Sequence, residues 1–226
     1  METLFAERPS RVVEEYLQVI LALSGDAGRV KAVQLTERLQ TSPSTVHSTL
    51  SRMQRDGLVQ VDAKKSITLT DSGREQATGI ARRHRLVETF LCDYLGIPWH
   101  EVHHHAHVLE HGLTPLVEDR LFEFLQHPQT CPHGTPFPGQ KHVLPPGMRP
   151  LSLLAPGQEF EVVVVDESLE DDQDLMKYLW EQNIKPRARH RLLAINEIAQ
   201  ILELSAPEGD SRLPLSIAPK IGVLPL

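Results

Sequence analysis

Residues 41–58, TSPSTVHSTLSRMQRDGL, set the fold of the first third of the chain. Ser42 is placed to cap a helix running from about Ser44 to Gly57, and Pro43 suits its first turn. Outward from this helix, SRVVEEYLQVILALSG (10–25) spaces its apolar residues as an amphipathic helix, with Ser10 as cap and Gly25 as stop. A second short helix covers about 31–39. Downstream, LVQVDAKKSITLT (58–70) alternates like two strands joined by a polar turn at 62–66. Helix, helix, helix and hairpin make a winged helix-turn-helix pattern. Ser42, Pro43, Ser44, Thr45, His47 and Ser48 form a slim helix start able to reach base edges, while Arg52, Arg55, Lys64 and Lys65 are placed to neutralise phosphates. A three-helix packing module with an ordinary solvated face is the plainer reading of the same pattern.

Thr70-Asp71-Ser72, with Glu75 three residues after Ser72, reads as a capping box opening a long helix over about 72–95. Two more helices follow over about 98–112 and 114–127. Residues 128–150 hold 7 of the 17 prolines and read as a linker. Beyond Leu151, EFEVVVVD, RHRLLAI, AQILEL and PLSIAP read as short strands, and DDQDLMKYLWEQN as a helix. The expected fold is mainly α with a β-rich C-terminal domain, divided as 1–72, 73–145 and 150–226.

Composition narrows the function. The 226 residues contain no apolar run long enough to span a bilayer and no signal-peptide pattern, so no membrane partner is expected. Cys92 and Cys131 are the only cysteines, far apart and in no CxxC pair, which excludes a disulfide framework and a thiolate zinc cluster and suits a reducing cytoplasm. The net charge of −7 argues against holding nucleic acid by bulk charge. That charge is uneven: residues 1–75 balance 10 basic against 10 acidic side chains, whereas 151–226 carry 7 against 13. The first third is free to approach phosphate.

Histidine is uneven too, with 10 of 12 lying between His84 and His142. In HEVHHHAHVLEHG (100–112), His103, His107, Glu110 and His111 share one helical face, and His84 and Glu88 repeat the i, i+4 spacing on the preceding helix. Imidazole with carboxylate is a ligand set for first-row divalent metals. His100, His104 and His105 fall off that stripe and are expected to be solvated. A metallohydrolase would need an open coordination position, a base and a cleft, and no HExxH is present, so neither an enzyme nor a small-molecule substrate is expected.

STLSRMQRDGLV, LTDSGREQA running into ARRHRLVETFL, VHHHAHVLEHG and CPHGTPFPG, in that order, resemble the diphtheria-toxin-repressor family of metal-dependent transcriptional regulators, over about residues 8–226. The resemblance implies a winged helix-turn-helix, a helical dimerisation domain and a small FeoA-like (Src-homology-three-like) β-barrel. It implies one metal site on Glu15, His107, Glu110 and His111, and a second on His84, Glu88 and His103, completed by Glu167 and Glu170 from the C-terminal domain. An anion contact would fall on Arg85, with Cys131 and Thr135 as weaker matches. Glu15 and His107 replace the sulfur ligands of iron-type members, which favours Mn(II), then Fe(II); Co(II), Ni(II) and Zn(II) fit the same donors in vitro. The function so implied is a cytoplasmic homodimer that binds a palindromic double-stranded operator when metal is present, represses, and controls metal-uptake genes. The alternative is a winged-helix regulator of another effector whose His-rich helix only stores metal.

Overall fold

The computed structural model describes residues 9–24, 29–140, 143–206 and 209–226; Gly25 and His142 lie outside them. The chain forms two compact units. One comprises the described residues up to His84 together with Glu110–Glu118; the other comprises Arg85–Leu109 and Asp119–Leu226.

The first unit contains α1 (Arg11–Ser24), β1 (Val30–Lys31), α2 (Ala32–Arg38), α3 (Pro43–Arg55), β2 (Val59–Val61), β3 (Ser66–Leu69) and the first half of α4 (Asp71–Asp93). Its antiparallel sheet runs β1-β3-β2, pairing Val30 with Ile67 and Val59 with Leu69. Val46, Leu50 and Met53 of α3 face the core, with Leu17 and Ile20 of α1 and Leu35 of α2. Burying each such side chain contributes about 1.5–3 kcal/mol. The helix start at α4 differs from the expected capping box: Thr70 Oγ1 accepts from the Gly73 amide at 3.0 Å, so Thr70 is the cap. Gly73 is required there, because a Cβ would fall 1.9 Å from the Leu58 carbonyl oxygen.

The second unit takes the rest of α4, α5 (Val102–Leu109), part of α6 (Pro115–Phe124) and the C-terminal elements. Glu110–Gly112 is a 3-10 turn, which shortens the helix expected over 98–112. β4 (Arg149–Pro150), β5 (Glu159–Val165), β6 (Arg189–Asn196), β7 (Ile201–Ala206), β8 (Gly209–Pro214) and β9 (Ile221–Pro225) form one antiparallel sheet, ordered β4-β9-β5-β6-β7-β8. Phe160, Val162, Leu192 and Leu204 pack beneath α7 (Gln173–Glu181) through its Met176 and Leu179. PLSIAP is not a strand: β8 stops at Pro214, and a 3-10 turn at Ala218–Lys220 leads into β9. Pro214 and Pro219 lack the N–H groups a ladder needs.

Nor is 128–140 a loose connection. Thr130 and Pro136 form a bridge, and Cys131, His133, Gly134 and Phe137 are buried. Gly134 has φ +88°, and a Cβ there would meet the Val163 carbonyl oxygen at 2.1 Å, so glycine is needed to lay this turn against β5. The Val165 amide donates to the His133 carbonyl at 2.9 Å.

Candidate metal centre and DNA-binding face

Within the second unit, α4 supplies Glu88, α5 supplies His103, the 128–140 turn supplies Cys131 and His133, and the turn before α7 supplies Glu170 and Asp171. His103 Nδ1 lies 2.9 Å from Glu170 Oε2 and 3.3 Å from Glu88 Oε1, while its Nε2 lies 3.1 Å from Asp171 Oδ1. His133 Nδ1 lies 3.3 Å from Glu170 Oε1 and 3.4 Å from Glu88 Oε1. His133 Nε2 donates to the Trp99 carbonyl at 3.1 Å, which leaves Nδ1 directed at the carboxylates.

Two carboxylates and an imidazole are buried here at 1%, 5% and 0% exposure for Glu88, Glu170 and His133, an arrangement unfavourable without compensating charge. Burial pulls the His103 pKa down, but Asp171, Glu170 and Glu88 push it further up, so it stands well above the usual histidine range. His133 behaves alike: burial opposes its charge, and Glu170 and Glu88 more than reverse that. Burial and then the Glu88 charge push the Cys131 thiol up to about 11. His133 Nδ1 and Glu170 Oε1 are buried without a hydrogen-bond partner of good geometry. The donor atoms of Glu88, Cys131 and His133 lie within 4.8 Å of one another, as do those of Glu88, His103 and Glu170. Unsatisfied nitrogen and oxygen donors converging in this way fit a first-row divalent cation.

A second cluster lies in the first unit. Glu110, fully buried, meets His84 Nδ1 at 2.6 Å and accepts from Gln18 Nε2 at 3.0 Å. His111 Nδ1 lies 2.6 Å from Glu14 Oε2, and Glu14 Oε1 accepts from Arg83 Nη2 at 2.9 Å. His111 Nε2 points the other way, 3.5 Å from Glu110 Oε1. Glu15 is half-buried, accepts from Arg11 Nε at 3.1 Å, and has a carboxylate oxygen within 4.8 Å of a His111 nitrogen.

On α3, Ser42 Oγ accepts from the Thr45 amide at 3.1 Å and caps the helix. Pro43, Ser44, Thr45, His47 and Ser48 are exposed on its leading turns. Arg52 reaches Ser10 Oγ at 3.2 Å, and Arg55 is exposed beside Asp56. Lys64 and Lys65 are exposed at the β2–β3 turn, where Lys65 takes φ 56°. Lys31 adds a third cation to this wing, its Nζ donating to the Lys64 carbonyl at 2.7 Å.

Of the residues expected from sequence, Glu88, His103 and Glu170 come together in the second unit, and Glu15, His84, Glu110 and His111 in the first. His107 is half-buried on α5 and lines a cleft of the second unit. Glu167 Oε2 accepts from Arg85 Nη2 at 2.9 Å. Arg85 also donates to the Pro136 carbonyl at 2.9 Å, so a carboxylate of the chain itself stands where an anion contact was expected. Sequence reasoning passed over Glu14, Cys131 as a metal donor, His133 and Asp171. Glu14 stands three residues before Leu17, on the buried face of α1, a spacing that singles it out from Glu15.

Residues 10–67 match the family model described as the iron dependent repressor N-terminal DNA binding domain, and residues 70–139 match its metal binding and dimerisation domain. The chain is 38% identical over 189 residues to the iron-dependent repressor IdeR of Mycobacterium leprae, covering 78% of this chain and 81% of that one. It is 39% identical over 126 residues to the diphtheria toxin repressor of Corynebacterium diphtheriae, covering 56% of each. Among solved structures, a manganese-dependent transcriptional repressor in complex with manganese superposes with a TM-score of 0.81 at 34% identity, covering 95% of this chain and all of that one. The manganese regulator SloR superposes at 0.75 with 26% identity, covering 95% of this chain and 98% of that one. The chain belongs to the iron-dependent (diphtheria toxin) repressor family of metal-dependent, DNA-binding transcriptional regulators, which are not enzymes.

Proposed function

We propose that this chain is a cytoplasmic repressor which binds a pseudo-palindromic operator as a homodimer when its clusters hold a divalent cation, Mn(II) before Fe(II), and so controls metal-uptake genes. The observation that carries this is the buried Glu88–His103–His133–Glu170 cluster, in which carboxylate and imidazole atoms converge and His133 Nδ1 and Glu170 Oε1 make no hydrogen bond of good geometry. Hard carboxylates with imidazoles, and a glutamate at 15 in place of sulfur, favour Mn(II) and Fe(II) over softer ions. The solved relative holding manganese supports the same order.

Bound cation supplies the positive charge that lets buried carboxylates and imidazoles stay together. Glu15, Glu110 and His111 would hold one ion. Glu88, His103 and Glu170 would hold the other, with His133 and Cys131 as additional donors. Glu167 keeps Arg85 in place. Ser42 through Ser48 enter the major groove while Arg52, Arg55, Lys31, Lys64 and Lys65 grip phosphates. Bound cation favours the arrangement of the two recognition helices that the operator selects, so cation and operator binding are coupled by about 1–3 kcal/mol.

Retention of genomic fragments by the full chain, with Mn(II), Fe(II), Co(II), Ni(II), Zn(II) or no metal at matched free concentrations, tests this. Specific retention with Mn(II) or Fe(II) and none without metal is expected. Equal retention in all samples would make the histidines a metal store beside a regulator of another effector.

A further inference from the structure

The buried centre of the second unit needs a route by which an ion reaches it. Glu88, His133 and Glu170 are nearly inaccessible to solvent. Beside them opens a cleft of about 170 Å³, lined by His100, His103, His104 and His107 of the His-rich segment and by Glu170, Asp171 and Gln173 of the turn entering α7. At about 30 Å³ per water, it accommodates a cation with much of its hydration shell. Two residues belong to both cleft and centre. Glu170 faces inward, and His103 stands between them, its Nδ1 on Glu88 and Glu170 and its Nε2 on Asp171. The outer wall carries further polar side chains around His103. Asp171 is half-exposed and His104 exposed. The His100 side chain is 14% exposed, with Nδ1 buried and lacking a hydrogen-bond partner and Nε2 3.6 Å from Glu101 Oε1.

We propose that this cleft is a metal-loading vestibule: His100, His104 and Asp171 form an outer station that captures a hydrated divalent cation and passes it by the His103 ring to the buried centre. The proposal rests on the buried centre binding a cation. The off-stripe histidines, which the sequence marks as merely solvated, thereby acquire a kinetic role. A station on the route raises the local ion concentration and lowers the barrier in both directions, leaving the end states unchanged.

The chain carries its own reporter. Its two tryptophans lie beside this centre, Trp99 with ring centroid 4.7 Å from His133 and Trp180 stacked 6.0 Å from Trp99. Stopped-flow mixing of the full chain with Co(II), followed by tryptophan quenching, gives loading; mixing the loaded protein with excess chelator gives release. In the double variant His100→Gln/His104→Gln, loading and release are both expected to slow about tenfold, with affinity and final quench unchanged. His104→Gln alone, at an exposed position, carries part of the slowing should the double variant lose thermal stability. Quenching with wild-type rates in both variants would overturn the vestibule while leaving the centre intact. So would lost affinity at an unchanged loading rate, which would make these histidines ligands. No quench and no bound Co(II) in the wild type would instead remove the buried centre itself, and the vestibule with it.

Discussion

Glu14→Gln tests whether a buried carboxylate sets the chemistry of a neighbouring ligand. Glu14 accepts from Arg83 through one oxygen at 2.9 Å and meets His111 Nδ1 through the other at 2.6 Å. With Nδ1–H donated to Glu14, His111 keeps a lone pair on Nε2, the nitrogen that faces Glu110. Glutamine keeps the shape but has one acceptor where glutamate has two. If its oxygen stays on Arg83, its amide N–H faces Nδ1 and drives the proton to Nε2, removing the ligating lone pair. If its oxygen stays on His111, the amide opposes the guanidinium. Loss of such a supporting carboxylate lowers metal affinity about 10–100-fold, or about 1.4–2.8 kcal/mol. Arg83 is itself buried, so the metal-free protein loses up to about 3–5 kcal/mol. In a chain of this size that lowers the melting temperature by about 6–20 °C. Mn(II) titration followed by electron paramagnetic resonance reads the first effect, and thermal unfolding the second. The decisive comparison is a double-mutant cycle with His111→Ala, where Glu14→Gln should cause little further loss of metal affinity. Additive losses, or a Glu14→Gln protein that melts and binds Mn(II) like the wild type, would refute the mechanism.

Protons compete with metal at the buried centre of the second unit. Because His103 and His133 titrate well above the usual range, their charged forms stabilise the metal-free fold fully below about pH 6.5, and that contribution is lost as pH rises through the raised values. Melting curves across this range should therefore show the metal-free protein weakening with rising pH while Mn(II) affinity strengthens; parallel behaviour would contradict it. Gly134→Ala should destabilise the protein by more than about 1 kcal/mol in denaturant titrations and weaken metal binding, because the turn carrying Cys131 and His133 cannot approach β5. Lys64→Ala and Lys65→Ala should each reduce the slope of log affinity against log salt by about 1 in operator titrations, without altering discrimination between sites.

The winged helix was legible because its signals are local: Ser42 as cap, Pro43 in the first turn, and a hairpin whose alternation puts Val59, Ile67 and Leu69 inward. The His-rich helix was legible from spacing alone. What sequence could not supply was the partner of each donor. Glu170 and Glu167 look alike by position, and only the fold puts one with His103 and the other on Arg85. His133 was hidden in a proline-rich stretch that suggested a linker, because proline signals the end of helices and ladders but says nothing of burial. The strand β9 was missed since Gly222 and Pro225 weaken its pattern, although its place between β4 and β5 is held by backbone pairing.

The most direct test of metal-coupled DNA recognition is the affinity of the full chain for Mn(II), measured with and without a saturating operator fragment. Linkage requires the operator to tighten Mn(II) binding by the same factor that Mn(II) tightens operator binding, about 5–150-fold. Reciprocal factors in that range would establish that the two sites work as one device. An Mn(II) affinity indifferent to the operator would show that the clusters bind metal without governing DNA.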